Sequence, residues 1–533
     1  MTDLKGFDLD YKIKEIDKPF KKNWKVILGG VFVIALLIRI FESPLELPIS
    51  QDAIQFFFYA TDITVNNQLP NNYTPTNNGW PIFLSLFFSV FEFELTQNYM
   101  AIQKNLSIII SSITVVPIFF LCRKYVGIFY GLIGSFIFSV EPKIIQNSTL
   151  GISEPLFIFL SVISFVIFLN SKTKIIYLSF VIVTFASMIR GEGVLLLISM
   201  FILFIIRFRK EKQVIVKTLL IISIVFLIML PMSMYRVDVI DNDGMFLRLS
   251  SSSSGIISEK IGNSNNNYFM NGLDNFPKFL GWSMIPIFLP FLPLGIVMIL
   301  KKKNFETATI VIPTILVSLS ALHAYSVPAL DTRYLFPLYP FFIVISLFGI
   351  KFLIEKTAKP KISFTVILIF IILSTSIYSN LKSIDYEHEL EVFLISKKIT
   401  TDFKTMNQFY PESSYLEPAD FPIRWSEFKT NFENQRIEGV SVRQTIPHNY
   451  QLIPVNENDS LETFIEKNIK KLDHIVVDDR KDRPQFFEEL FYNENRYEYL
   501  KKIYDSKEDG FEYHMKIFEI QYEKFNTNNE RLN

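Results

Sequence analysis

The sequence predicts a polytopic α-helical membrane protein of about eleven transmembrane helices, followed by an extracytoplasmic α/β domain. Three observations predict it. Half of the 533 residues are hydrophobic and 54 are Phe, far more apolar than a soluble chain of this length. Lys and Arg recur at every second loop between the apolar runs. After Asn380 the composition turns abruptly charged and mixed.

The polar segment 1–23 ends on Lys21 and Lys22 and precedes the first apolar run. No small-residue cleavage site follows that run, so the first span is expected to stay in the membrane. Apolar runs then mark spans near 24–41, 100–121, 125–140, 154–170, 174–189, 192–207, 214–235, 279–300, 305–324, 334–354 and 361–379. Several are shorter than the roughly 20 residues a perpendicular crossing needs, so their ends are approximate. With the N-terminus inside, every inner segment is basic: 1–23, Arg123-Lys124, Lys172 with Lys174, Arg207 to Lys212, Lys301 to Lys303, and Lys356, Lys359 and Lys361. The intervening loops hold few cations, among them Lys143, Arg190 and those of the long 236–278 loop. An odd number of spans then puts the tail outside.

The first outer loop, 42–99, carries no Lys or Arg but holds Glu42, Glu46, Asp52, Asp62, Glu92 and Glu94. Within it, Trp80 to Phe93 is apolar yet too short to span and starts with Pro81 one residue in, which suits a helix lying in the interface. The chain therefore divides into a cytoplasmic segment 1–23, a membrane domain 24–380 and a soluble domain 381–533. In the last, helices are expected near 387–408, 460–471 and 484–491, with an apolar strand His474-Ile475-Val476-Val477 and strand-like runs at 498–504 and 511–520. It has no phosphate-binding glycine loop and no metal-ligand spacing, so its bland reading is recognition or packing.

Other features bound the function. Lys plus Arg and Asp plus Glu both number 53, so net charge points to no nucleic-acid partner. The single cysteine, Cys122, excludes an internal disulfide. The informative residues are polar groups at the ends of apolar runs, where a charge is costly unless it sits at an interface or has a task. They are Asp52 with Tyr59, Asn78-Gly79-Trp80-Pro81, Ser153-Glu154-Pro155-Leu156-Phe157, Arg190-Gly191-Glu192-Gly193, and Asp331-Thr332-Arg333-Tyr334-Leu335-Phe336-Pro337. By the topology above, all five groups lie at the outer boundary.

In order, spacing and common side, these residues resemble the polyprenyl-phosphate-sugar-dependent glycosyltransferases of the GT-C superfamily. That group includes protein O-mannosyltransferases and the lipid A aminoarabinose transferase. The resemblance covers about residues 24–380 and rests on Asp52 with Tyr59, SEPLF at the fourth span, R-x-E-G from Arg190 to Gly193, and RYLFPLYP at the tenth. It implies a polyprenyl(dolichyl)-phosphate sugar donor, carrying a hexose such as mannose or glucose, and a glycan, lipid or protein acceptor. It also implies single-displacement inversion with no nucleotide at the site. Relatives often have two adjacent acids in the first loop; here the second position is Ala53, which leaves metal dependence open and assigns no cofactor. The double-Trp motif of oligosaccharyltransferases is absent, which argues against en bloc glycan transfer. The low cysteine content and the many Asn, Ile and Lys look archaeal.

An activated lipid-phosphate sugar needs a base for the acceptor hydroxyl and cations for the departing phosphate. Asp52 fits the base. Arg190 and Arg333 fit the phosphate, because a guanidinium fork matches its oxygens. Each has a plainer reading. Asp52 can be a loop acid, the arginines can reach for lipid headgroups, Glu154 can simply start a helix, and Glu192 can pair structurally with Arg190. Asp331 opens the tenth span. His323, eight residues before Asp331, reads more readily as an interfacial histidine than a catalytic one. The competing class is a lipid-linked-sugar transporter or flippase, which calls for charges along a path through the bilayer and repeated halves; neither is evident.

Overall fold

A computed structural model describes residues 9–532 except 51, 72, 76–77, 172–173, 241–267, 303, 328, 383–384, 409–414, 435–442, 444–447, 457–458 and 481–483. Most of the 236–278 loop thus lies outside the described residues. The chain forms two compact units. One comprises Met1–Ser43, Phe56–Phe91 and Ile102–Ser383; the other comprises Pro44–Gln55, Glu92–Ala101 and Ile384–Asn533.

The first unit is helical. Its elements, some crossing the division between units, begin with α1 (Leu9–Phe41), α2 (Asp52–Asn66), α3 (Gly79–Phe88), α4 (Thr96–Ile113), α5 (Val115–Val126) and α6 (Ile128–Val140). They continue with α7 (Pro142–Thr149), α8 (Glu154–Asn170), α9 (Ile176–Ile189), α10 (Glu192–Phe208) and α11 (Val214–Ile240). Helices Tyr268–Met284, Phe288–Leu300, Phe305–Ser326, Tyr339–Lys356 and Pro360–Leu381 follow, with a 3-10 turn at Thr332–Leu338.

A helix covers each of the eleven expected runs. Among the described residues, however, six helices are long and apolar enough to cross a membrane, or eight if two bent pairs each count as one span. The shortfall has a physical basis: α8, α9 and α10 have 17, 14 and 17 residues, below the length of a perpendicular crossing. The expected span 279–300 is instead two helices, meeting at 110° around Pro286, where a proline removes a backbone donor. α6 and α7 likewise bend by 51° at Glu141. α3 has ten residues and buries Trp80, Leu84 and Phe88 while exposing Leu86, in keeping with a helix that does not span.

Close helix packing depends on missing side chains. A Cβ at Gly295 would sit 1.9 Å from the Ile345 carbonyl oxygen, so the helices Phe288–Leu300 and Tyr339–Lys356 can cross only where glycine lets the backbones meet. Arg39, in the last turn of α1, is fully buried. Its guanidinium donates to Ser111 Oγ at 3.0 Å and to the carbonyls of Ala35 (3.0 Å), Ser139 (3.1 Å) and Phe138 (3.4 Å). It thereby caps the C-terminal end of α6, whose last carbonyls have no intrahelical partner.

The second unit contains a five-stranded mixed sheet in the order β2-β1-β3-β5-β4, from β1 (Thr405–Asn407), β2 (Gln451–Ile453), β3 (His474–Asp478), β4 (Leu500–Asp505) and β5 (Met515–Ile520). β1 runs parallel to β2 and β3; β5 runs antiparallel to β3 and β4. Alternate residues face opposite layers. Ile475, Val477, Phe518 and Ile520 pack with Leu461, Phe464, Phe487 and Leu490, whereas Val476, Met515 and Ile517 pack with Val392, Ile395 and Ile399. Burial on both faces is why β3 reads as an unbroken apolar run. The expected helix 387–408 ends at Asp402, and Thr405–Asn407 is a strand. The Asn407 side chain there donates to Val476 O (3.0 Å) and accepts from Val476 N (2.6 Å).

Candidate active site

In the first unit, three turns converge. Ser153-Glu154-Pro155 starts α8, where proline suits the first helical turn and a carboxylate favours the helix N-terminus. Arg190 ends α9 in an extended conformation, and the chain re-enters a helix two residues later at Glu192. That reversal is tight: a Cβ on Gly193 would lie 2.5 Å from Ser187 Cα. Asn78-Gly79 opens α3 against the same turn, because a Cβ on Gly79 would lie 3.0 Å from Ile189 N. The Gly151 carbonyl, at a positive-φ position, accepts from Trp80 Nε1 (3.1 Å) and Gln103 Nε2 (2.8 Å), which ties α3, α4 and the α7–α8 turn together.

These turns assemble a buried ion cluster. Arg190 Nη1 meets Glu154 Oε1 at 2.6 Å; its Nη2 meets Glu192 Oε1 at 2.9 Å, and its Nε donates to Glu192 Oε2 at 3.3 Å. The three side chains are 8%, 3% and 1% exposed, so water contributes little and the charges must satisfy one another. Burial opposes the guanidinium's charge, but Glu154 and Glu192 outweigh it and hold Arg190 protonated above its ordinary range, with Tyr334 also in electrostatic reach. Two carboxylates around one guanidinium leave the cluster one negative charge in excess.

Asp331 and Arg333 form a second pair. Asp331 caps the 3-10 turn by accepting from Arg333 N (2.8 Å), and its other oxygen meets Arg333 Nε at 2.6 Å. Their side chains are 40% and 26% exposed, so this pair is open to ligands in a way that Arg190 is not. His323 is half-buried near the end of Phe305–Ser326, and Tyr325 in the same helix donates to Asp331 O at 2.9 Å.

Tyr59 belongs to a third cluster. Its hydroxyl lies 2.9 Å from that of Tyr235, which donates to Pro70 O, while Arg236 donates to Pro75 O at 2.9 Å. The end of α11 thus holds the 70–75 stretch of the first loop. Asp62 is fully buried there and accepts from Asn66 Nδ2 at 2.6 Å. Burial, and then the charge of Asp62, push the Tyr73 hydroxyl well above its usual range.

Asp52 belongs to the second unit. It is exposed and opens α2. Two stretches of the first loop are built into this unit. Thr96 N donates to Ile423 O (3.0 Å) and Trp425 N to Glu94 O (2.8 Å), bracketing the antiparallel bridge Leu95–Arg424. Tyr99 stacks on Trp425 at 3.8 Å between ring centroids. Tyr386 donates to Glu46 Oε2 at 2.5 Å, and Gln97 Nε2 to Glu46 O at 2.7 Å.

Sequence reasoning found the acids and cations of the first cluster but treated Glu154 and Arg190 separately. It missed Arg39, Tyr235, Arg236 and Glu141. Glu141 is fully buried at the α6–α7 bend, and neither carboxylate oxygen has a hydrogen-bond partner among the described residues. The available signal was position: Arg39 and Glu141 are charges at the ends of apolar runs, where burial has a high cost. Among the described residues no group of three or more His, Cys, Asp or Glu is arranged to hold a metal ion.

No family model and no curated protein matches the chain. Solved structures do. The Archaeoglobus fulgidus oligosaccharyltransferase tethered to an acceptor peptide containing the NVT sequon superimposes with a TM-score of 0.51 at 12% identity, over 86% of this chain and 69% of that one. ArnT from Cupriavidus metallidurans bound to undecaprenyl phosphate superimposes with a TM-score of 0.50 at 8% identity, over 93% of this chain and 98% of that one. At such identities the likeness is one of fold. The chain shares with them a helical architecture containing several long apolar helices, followed here by a domain with a small mixed sheet.

Proposed function

We propose that the protein is a membrane glycosyltransferase that moves a hexose, mannose or glucose, from a polyprenyl phosphate to a hydroxyl of a glycan, lipid or protein outside the membrane. The acceptor oxygen attacks the anomeric carbon, its proton passes to the Asp52 carboxylate, and the bond from carbon to phosphate oxygen breaks with its electrons staying on the phosphate. One displacement inverts the anomeric centre, and no covalent intermediate forms. Arg333 meets the leaving phosphate, where a fork of N–H donors stabilises growing negative charge. Arg190, buried between its two carboxylates, holds Glu154 and Glu192 in place beside the site.

The observation that carries this reading is the GT-C fold combined with a polar cluster built at the very turns the motifs mark. The ArnT structure of the same fold holds undecaprenyl phosphate, which makes a polyprenyl phosphate the natural donor to test. Purified protein should move radiolabel from polyprenyl-phosphate mannose or glucose into a lipid or protein fraction. Asp52→Asn keeps the side chain's size but cannot take the proton, so turnover should fall by roughly 100-fold or more. Glu92→Gln, an exposed acid of the same loop, should leave turnover near wild type. Full turnover in Asp52→Asn moves the base elsewhere, and equal losses in both variants reduce the effect to loop charge.

A further inference from the structure

The compact unit that contains the soluble domain also contains Pro44–Gln55 and Glu92–Ala101, the two roots of the first outer loop. These roots are held by backbone and side chain alike. The bridge Leu95–Arg424 is flanked by two reciprocal hydrogen bonds, Thr96 Oγ1 adds a third to Pro422 O at 2.7 Å, and the Tyr99–Trp425 stack lies beneath. Trp425 is 6% exposed and Tyr99 2%, so the stack is a small core of its own. The other root is fixed at Glu46, which takes Tyr386 on its carboxylate and Gln97 on its carbonyl. Six residues after Glu46 comes Asp52, with Leu47 and Ile49 between them buried and the Ala53 N to Ser50 O turn (3.2 Å) delivering the carboxylate to the start of α2.

We propose that the soluble domain sets the position of the catalytic carboxylate: by gripping both loop roots it fixes where Asp52 stands, with Trp425, Tyr99 and Tyr386 acting as positioning residues. The inference rests on the reading of Asp52 as base. A displacement of about 1 Å at a reacting group can lower a rate about 100-fold, so a grip six residues away is a kinetic device and not only a packing contact. A cleft of about 760 Å³ opens along the same grip, lined by Phe93, Glu94, Arg424, Lys429 and Glu433 among others. A polar ligand seated there would touch loop root and domain together.

The flanking hydrogen bonds make Leu95 and Arg424 a non-hydrogen-bonded antiparallel pair, for which Cα atoms stand about 4.5 Å apart, within the ~4.4–6.8 Å range of a disulfide. The sole native cysteine, Cys122, is buried. Leu95→Cys with Arg424→Cys should therefore cross-link in oxidised membranes, with turnover kept. Trp425→Ala should lower kcat about 10-fold or more while KM for the lipid donor holds, and adding the cross-link to it should restore most of kcat. Tyr386→Phe, which deletes one exposed hydroxyl and cannot threaten folding, should lower kcat a few-fold. Wild-type kcat in Trp425→Ala and Tyr386→Phe, or failure of the cross-link to form, overturns the inference. So does a loss in Trp425→Ala that the cross-link does not relieve. Asp52→Asn separates the two claims. If it is inactive while the grip variants are normal, only the positioning inference falls; if it retains turnover, the base reading falls first.

Discussion

Arg190 directs three of its five N–H groups at two carboxylates, and that geometry fixes what its replacement does. A lysine at 190 presents a single ammonium and cannot span Glu154 and Glu192 at 2.6 and 2.9 Å together. Arg190→Ala leaves two buried carboxylates facing each other, a loss on the order of 3–5 kcal/mol. The unfolding midpoint in detergent should drop sharply, and adding Glu154→Gln and Glu192→Gln should recover part of it, because the repulsion disappears. An Arg190→Ala protein as stable as the triple variant would contradict the cluster. The Arg190–Glu192 pairing was legible in the sequence, since only Gly191 lies between them. Glu154 was not, because 35 residues intervene and only the packing of α8 against α9 brings it there. Asp62 shows the opposite limit: the sequence marks it only as one of six acids in the first loop, whereas it is buried and bonded to Asn66.

The turn between α9 and α10 places those charges, and it exists because of Gly193. An alanine there would put a methyl 2.5 Å from Ser187 Cα and 2.6 Å from Ser187 N, both backbone atoms that cannot rotate away. α10 would have to slide against α9, carrying Glu192 and Arg190 with it. Gly193→Ala should therefore lower turnover about 10-fold or more, consistent with the sensitivity of catalysis to small displacements. Gly281→Ala is the control: nothing lies within 4 Å of its Cβ, and alanine in a helix should be neutral or stabilising by about 1 kcal/mol. Loss of activity in both would reduce the effect to a general intolerance of added bulk. At this scale the long apolar helices were legible from composition, and β3 and β5 from their apolar runs. β1 and β2 were not. Each has three residues, too few to show alternation, and their pairing joins residues 405–407 to 451–453, which no local pattern announces. The break at Pro286 was visible as a proline but not as a 110° bend, since prolines at 290 and 293 stand inside a continuous helix.

For the whole molecule, the decisive property is which side of the membrane each segment faces. Six basic segments alternate with cation-poor loops along the sequence, and positive charge near helix ends is retained on the cytoplasmic side. The short helices α8, α9 and α10 do not decide the matter by length alone, so sidedness has to be measured. The sole native cysteine is buried and stays silent, which makes single-cysteine labelling clean. Gln68 in the first loop, Asn456 in the soluble domain and Lys302 in a basic loop are all exposed. With the N-terminus inside, Gln68→Cys and Asn456→Cys should react with a membrane-impermeant thiol reagent added to intact cells, and Lys302→Cys should react only after lysis. The pairing of outcomes carries the information. Labelling at 302 with protection at 456 would invert the tail and remove the soluble domain from the side where the proposed donor and acceptor meet. Labelling at 68 with protection at 456 would mean an odd number of crossings between them. That would part the loop root at Glu46 from Tyr386 by a bilayer, which their 2.5 Å hydrogen bond forbids.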